Sequence, residues 1–359
     1  VMSAKKSIEI MTTLADEIRR GEHGDVGNVF MTVRGICDQF GVSLVTAQRV
    51  VSKLKGQGLL VRSGKRLSVA YRHSDHAVAR RLGVLLTNME NPFFARLLNA
   101  LEHAARRRDV EIISAGSCYD IEHEKRQLGM LTASGATGFL ICPASDVDSA
   151  AALAALARPY VLIGRRVAGI DADVVAVNDF EAGRLAAAHL VHQQCRHYFY
   201  LGTQYLHNDV RACGYAYGLR ERNIALPAEN CLAGDLAEAE DKLCSWLLRH
   251  YRGKRTGVFC YHDLLALRLL RAARICQLRV PADLAIVGMD NLPVAAETYP
   301  SLTSVSYPLS QIAERALDVL LRRLDGQVMP VAVNQLDPTL VVRESSCCLT
   351  ALPGQAVNE

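Results

Sequence analysis

Hydrophobic positions change rhythm along this chain. In the first seventy residues they recur at helical spacing. Ile8, Met11, Leu14, Ala15 and Ile18 fall on one face, which predicts an amphipathic helix over 6–20 that Gly21 and Gly24 end. Val33, Ile36 and Phe40 predict a second helix over 32–40. Ala47, Val50, Val51 and Leu54 predict a third over 44–54, with Ser43 as its N-cap. Two β-prone runs, 59–62 and 66–69, then flank Ser63-Gly64-Lys65 and read as a hairpin with a basic tip. From residue 82 the rhythm is different. Short apolar runs at 82–86, 110–113, 138–141, 160–163, 198–201, 257–260 and 284–287 alternate with helical stretches such as 92–107 and 121–134. Strands apolar on both faces, separated by helices, predict parallel sheets covered on both sides. The stretch 71–81, YRHSDHAVARR, has no apolar stripe and reads as a linker. The prediction is therefore an α/β chain: a winged helix-turn-helix at 1–70, a linker at 71–81, a two-lobed, doubly wound domain at 82–346, and a tail at 347–359.

Composition sharpens this division. The chain has 359 residues, more than one compact domain normally takes, and half of them are hydrophobic. Its formal charge of +4 is unevenly placed. Residues 1–76 hold 12 Lys and Arg against 7 Asp and Glu, a net +5, which leaves 29 against 30, a net −1, for the rest. A basic module joined to a neutral one is what a polyanion-binding protein with a second task would carry. The 11 cysteines are dispersed without a CxxC pair, so reduced thiols and a cytoplasmic protein are expected. The adjacent Cys347 and Cys348 read as exposed thiols near the tail. No stretch approaches the ~20 apolar residues of a membrane span, and Val1-Met2-Ser3 opens no secretion signal. No membrane partner is expected.

In a helix-turn-helix the second helix of the pair enters the major groove and its first residues reach base edges. The candidates here are Leu44, Val45, Thr46, Gln48, Arg49 and Lys53, with Ser52 beyond them. Gln48 would pair with adenine, Thr46 with a phosphate or a thymine methyl, and Arg49 with a phosphate or guanine. Lys65 and Arg66 at the hairpin tip would reach the backbone or the minor groove. Three segments, Phe30-Met31-Thr32-Val33-Arg34, Phe40-Gly41-Val42-Ser43-Leu44-Val45-Thr46 and Leu54-Lys55-Gly56-Gln57-Gly58-Leu59, make residues 6–70 resemble the GntR family of bacterial transcription factors. The resemblance implies DNA-contact roles for Arg34, Ser43 and Thr46. It departs at Met31, where that family usually has proline, and at Leu44, where an arginine commonly reads bases.

Ligands of doubly wound sheets bind beyond the carboxyl ends of the strands. The residues there, 91–94, 164–166, 177–179, the loop ending at Arg211, 261–263 and 290–291, mix aromatic walls with Arg, His and Asp. Asn91-Pro92-Phe93-Phe94, Asn178-Asp179-Phe180-Glu181-Ala182-Gly183, Arg211-Ala212-Cys213-Gly214-Tyr215, Tyr261-His262-Asp263 and Val287-Gly288-Met289-Asp290-Asn291 resemble the LacI-family effector domain, in order, over residues 81 to about 346. That resemblance implies a periplasmic-binding-protein fold in which Arg211 and Asp290 grip the hydroxyls of a sugar. It makes Asn91, Phe93, Phe94, Arg165, Val177, Leu236, His262 and Tyr307 the other effector-binding candidates. Three departures concern the ligand: Gly164 precedes Arg165 where the family often has Asp, His262 replaces Asn, and Leu236 replaces an aromatic residue. A lost acid and a gained His favour an acidic or phosphorylated ligand over a neutral sugar.

His189, His192, Cys195 and His197 resemble a metal cluster by composition, but Cys195 falls at a helix end, where relatives place a capping Gly. No metal or other cofactor is expected. No GxSxG elbow, P-loop or GxGxxG follows the first strand, and no catalytic constellation is visible. The expected function is a ligand-responsive transcriptional repressor, a homodimer on a pseudo-palindromic double-stranded operator, with the effector acting as inducer or co-repressor. Two other classes compete with it. One is a solute-binding receptor or transport component whose N-terminal module contacts protein, and the other is an α/β sugar-modifying enzyme.

Overall fold

The structure is a computed structural model, and it describes residues 2–20, 22–24, 26–64, 66–70, 80–202, 209–232 and 240–347. Contacts divide the chain into two compact units, Val1–Ala79 and Arg80–Glu359. In the first, helices α1 (Met2–Arg20), α2 (Val33–Phe40) and α3 (Leu44–Gly56) precede a hairpin of β1 (Leu60–Ser63) and β2 (Arg66–Val69). The expected apolar stripes meet in one core, where Leu14, Ile18, Ile36, Ala47, Val50 and Leu54 are fully buried. Local chemistry sets the boundaries. Thr32 caps α2, its Oγ1 accepting the Gly35 N–H at 3.0 Å. Gly41 ends that helix at φ 59°, a left-handed turn that lets Ser43 cap α3 two residues later. The hairpin pairs antiparallel, with Leu60 opposite Val69 and Ser63 opposite Arg66.

The second unit holds two sheets. The first is built from β3 (Arg80–Leu86), β4 (Val110–Gly116), β5 (Gly138–Ile141), β6 (Tyr160–Ile163) and β7 (Asp173–Val177), linked through α4 (Pro92–Arg106), α5 (Ile121–Ala133) and α6 (Ala150–Ala154). The chain then crosses into α7 (Asp179–His192) and the second sheet. There β8 (His197–Leu201), β9 (Cys231–Leu232), β10 (Thr256–Cys260), β11 (Leu284–Met289) and β12 (Thr303–Ser306) alternate with α8 (Val210–Arg220), α9 (Glu240–His250), α10 (Asp263–Ile275) and α11 (Pro293–Glu297). It returns through α12 (Leu309–Leu324) to β13 (Val333–Leu336) and crosses once more to β14 (Thr339–Val341). The strand orders are β13-β7-β6-β5-β3-β4 and β14-β12-β11-β10-β8-β9. Every pairing is parallel except β14, which runs antiparallel to β12.

The central strands β5, β10 and β11 are buried on both faces because helices cover both. In β8, Phe199 and Leu201 pack against α9 and α10, while Tyr198 and Tyr200 pack on the α7 and α8 side. Strands β7, β9, β12, β13 and β14 add to those expected from apolar runs. The linker differs at its end: Arg80 and Arg81 open β3, opposite Val110 and Glu111. Its other residues, 71–79, lie outside the described residues. Cys347 is also a correction, being buried rather than exposed, and the tail from Cys348 onward lies outside the described residues. No helix among the described residues is long and apolar enough to cross a membrane.

Candidate functional site

A cavity of about 360 Å³ opens where the carboxyl ends of the two sheets face each other. It gathers residues one or two positions past strand ends: Thr87 after β3, Cys142 after β5, Arg165 after β6, Tyr261 and His262 after β10, Asp290 after β11 and Tyr307 after β12. Arg211, in the first turn of α8, is the organising group. Its guanidinium donates to Asp179 Oδ1 at 2.9 Å, to the Tyr261 carbonyl at 2.5 Å and to the Tyr307 hydroxyl. It also lies 4.0 Å above the Tyr261 ring. Asp209 caps α8 by accepting the Arg211 and Ala212 N–H groups and takes the Tyr200 hydroxyl, so the start of the helix is fixed on both sides. Phe93 packs against Tyr307 at 4.8 Å between ring centres, and Phe94 sits edge-on to it at 5.2 Å. These rings form an apolar wall beside the polar floor. Arg96, from α4 of the first lobe, reaches across to the carbonyls of Asp290 and Asn291 at 3.0 and 2.7 Å.

Burial sets the protonation of this floor. Asp290 is buried in a positive-φ turn (φ 105°), and desolvation raises its carboxyl well above the usual range despite the Arg211 charge. His262 caps α10, its Nδ1 accepting the Leu265 N–H at 3.0 Å, which places its proton on Nε2. Burial and then the Arg211 charge lower it to about 4. His262 is thus a neutral donor rather than a cation, which removes half of the sequence argument for an acidic ligand. The stability its neutral ring contributes is complete above its unfolded pKa of about 6.5 and is lost as pH falls through about 4. Asp263, raised to about 6 by burial, acts in the opposite sense, favouring the fold as pH falls from 6 towards 3.8. In long-range ¹H–¹⁵N NMR spectra His262 should be neutral and Nε2-protonated at pH 7, with a midpoint near 4. A midpoint near 6.5 would refute the capping geometry.

The first unit presents a second polar surface. Leu44 and Val45, at the head of α3, are 51% and 60% exposed, and Arg34, Ser43, Gln48, Arg49, Lys53 and Arg66 are exposed as well. Thr46 is the exception. Only 8% exposed, it lies on the core stripe with Val50 and Leu54, its Oγ1 3.0 Å from Ser43 Oγ. A concave strip runs between α3 and the hairpin, where Gln48, Ser52 and Lys55 face Arg62 and Arg66. Lys55 and Arg62 were not among the sequence candidates. The i, i+4, i+7 spacing of Gln48, Ser52 and Lys55 was the signal available for the helix side of this strip. Lys65 lies outside the described residues.

Comparison with known proteins bears on the second unit. A model described as periplasmic binding proteins and sugar binding domain of LacI family matches residues 79–222, and one described as periplasmic binding protein-like domain matches 187–346. Residues 79–346 form a LacI-type effector domain. Among curated relatives, the chain is 27% identical over 327 residues to the HTH-type transcriptional repressor PurR of Mannheimia succiniciproducens, covering 88% of this chain and 98% of that one. PurR of Erwinia tasmaniensis is likewise 27% identical, over 88% of this chain and 96% of its own. Among solved structures, the transcription regulator CcpA of Lactococcus lactis superposes with TM-score 0.68 at 24% identity, over 75% of this chain and all of that one. A CelR–cellobiose complex superposes with TM-score 0.65 at 24% identity, over 85% and 92% of the two chains. These last two likenesses speak for the fold.

Within the LacI-type effector domain the cavity brings together Asn91, Phe93, Phe94, Arg165, Val177, Arg211, His262, Asp290 and Tyr307. Leu236 lies outside the described residues. Asn91 has a second duty, since its Oδ1 caps α4 by accepting the Phe93 N–H at 3.0 Å. Thr87, Tyr119, Cys142, Asp146, Asp209 and Gln335 line the domain's cavity without having been candidates. For Thr87 and Cys142 the rule that ligands meet the first residue past a strand would have sufficed. The His/Cys group is dispersed into structural roles: His189 bonds Ser346 Oγ at 2.7 Å, and Cys195 is buried in the core. The left-handed residue after α7 is Gln194 at φ 59°, not Cys195.

Proposed function

We propose that the chain is a DNA-binding transcriptional repressor whose operator affinity is set by a small hydroxylated effector held in the inter-lobe cavity. The observation that carries this reading is the convergence of Arg211, Asp290 and His262 with an aromatic wall in a LacI-type effector domain, on a chain whose first unit exposes a helix-turn-helix face. The two curated relatives reported above are named repressors, and their match covers more of the chain than residues 79–346 alone. The chain is a regulator rather than an enzyme. Sugar-type ligands are named for several solved neighbours, namely cellobiose, ribose and xylulofuranose.

We read the first unit as a GntR-like winged helix-turn-helix, because three helices followed by a basic hairpin match that arrangement in order. Gln48 and the exposed apolar Leu44 and Val45 would meet base edges, the apolar pair suiting thymine methyls. Arg34, Ser43, Arg49, Lys53, Lys65 and Arg66 would hold phosphates, together with Lys55 and Arg62. Thr46 supports the cap of α3 instead of touching DNA. A homodimer on two half-sites, in the cytoplasm, completes the reading. Effector-dependent movement of the lobes changes operator affinity only by the effector's differential affinity for the two arrangements.

Two measurements test it. In a fluorescence-anisotropy titration, effector must change operator affinity, and no change with any cleft-binding ligand would reject the coupling. In salt titrations, Lys55→Ala and Arg62→Ala should each reduce the slope of log K against log [salt] by about one per phosphate contact removed, weakening all DNA sequences alike. Gln48→Ala should cost about 1–3 kcal/mol on the operator only. Unchanged slopes would move the DNA face elsewhere.

A further inference from the structure

Of the arginines lining the cavity, Arg165 is the one with a buried guanidinium nitrogen that lacks a partner among the described residues. Among the described residues no hydrogen bond or ion pair engages the Arg165 guanidinium, and its Nη1 is buried without a partner. Thr87 Oγ1, on the same cavity wall and 1% exposed, is also buried without a partner. The acids of the cavity are otherwise employed or neutral. Asp179 serves Arg211, Asp209 caps α8, and Asp290 is held towards its protonated form. Glu124 feels the Arg165 charge from outside the cavity, but its Oε2 accepts the Ala144 N–H at 2.7 Å and its carboxyl is raised by burial. The Arg165 charge is also felt at Tyr261, on the opposite lobe. It therefore acts across the cavity.

A half-buried guanidinium with one buried, unpartnered nitrogen and a buried, unpartnered hydroxyl on one wall are costly unless a ligand satisfies them. A neutral sugar hydroxyl would satisfy Thr87 but leave the Arg165 charge unmatched. Resting on the cleft reading above, we propose that the effector carries an anionic oxygen group, a carboxylate or a phosphoryl, which docks on Arg165 and Thr87 while its hydroxyls meet Asp290, His262 and Arg211. The guanidinium offers parallel N–H donors to two oxygens of such a group, and Thr87 offers a third. The anion thus reads the first lobe and the polyol the second. The ligand is then a hydroxylated acid or a sugar phosphate.

The test is a calorimetric panel on the full-length protein using three matched probes, D-glucose, D-gluconate and glucose 6-phosphate, and the corresponding ribose series. At least one anionic probe should bind about 10- to 100-fold more tightly than its neutral parent, and comparing the two anionic arms separates carboxylate from phosphoryl. Arg165→Gln should collapse that ratio towards one, Arg165→Lys should restore part of it, and the isosteric Thr87→Val should lower it less. Thermal unfolding of the ligand-free variants shows that each is folded. A neutral sugar binding as tightly as its acid and its phosphate overturns the inference and leaves the cleft reading standing. A ratio that survives in Arg165→Gln overturns the assignment to Arg165. If no probe of any kind binds, the cleft reading fails and this inference fails with it.

Discussion

Gly214→Ala should cost the effector domain about 3 kcal/mol or more, lowering its unfolding temperature by on the order of 10 °C. An added Cβ at Gly214 would lie 1.9 Å from the carbonyl oxygen of Phe180 and 2.7 Å from its carbonyl carbon. One turn away, a Cβ at Gly183 would meet the Arg211 carbonyl at 2.2 Å and the Tyr215 nitrogen at 2.5 Å. All four atoms are backbone, so no side chain can swing aside. Helices α7 and α8 cross at main-chain contact, with Ala182, Ala186 and Ala187 completing the small-residue surface of α7. The crossing also places the first turn of α8, and with it Arg211, over the cavity. A methyl there should therefore lower effector affinity as well as stability. Gly129→Ala is the control: it lies inside α5 with open space where its Cβ would go, and should stabilise by about 0.5–1 kcal/mol. Urea unfolding reads both, and wild-type stability for Gly214→Ala would mean that the crossing is looser than described.

Arg211→Ala should abolish measurable effector binding, a loss of at least about 100-fold, and destabilise the domain by about 3–5 kcal/mol. The guanidinium is 7% exposed and holds Asp179 at the head of α7, the Tyr261 carbonyl after β10 and the Tyr307 hydroxyl after β12. Removing it leaves the Asp179 carboxylate without its counter-charge and unlinks three chain segments that form the cavity floor. Most of the stability loss comes from that abandoned carboxylate, so Arg211→Ala with Asp179→Asn should recover part of it. Arg211→Lys keeps the charge but not the planar fork, and should recover stability more than affinity. Calorimetry with the tightest probe, alongside unfolding curves, separates the two losses. Wild-type affinity in Arg211→Ala would remove this residue from the site.

The sequence was most legible where one residue type admits one reading. The buried strands announced themselves as apolar runs because both their faces lie under helices. Strand β12, Thr303-Ser304-Val305-Ser306, did not. Its buried hydroxyls are satisfied by Arg343, Ser346 and Asp263, and Ser345 Oγ accepts the Thr303 N–H, partners brought in from about 40 residues away. Only the fold makes such a polar run an interior strand. The same limit explains Thr46. Its hydroxyl near a helix start suggested a DNA contact, while its place with Val50 and Leu54 on the core stripe was equally visible and decided the matter. His262 was read by residue type as a gained cation. Its state is set by a backbone N–H and by burial, which no local pattern records. Arg211 and Asp290 were found through family resemblance, but the partners of Arg211 come from three separate segments, and their convergence belongs to the fold.

The chain passes between the two lobes three times, at Asn178, around Tyr307 and Pro308, and between β13 and β14. Neither lobe is therefore a continuous piece of sequence. The first sheet depends on α12, whose Ile312, Ala313, Ala316, Leu317 and Leu320 fill the core over β3, β5 and β6, although they lie well over a hundred residues downstream. A polypeptide ending at residue 178 would leave that apolar surface bare and could be made soluble only beside the remainder of the chain. Two such fragments would have to find one another to fold. Joined to the halves of a split reporter, they would turn this fold into a complementation sensor, with effector, which needs both lobes, favouring the reassembled form.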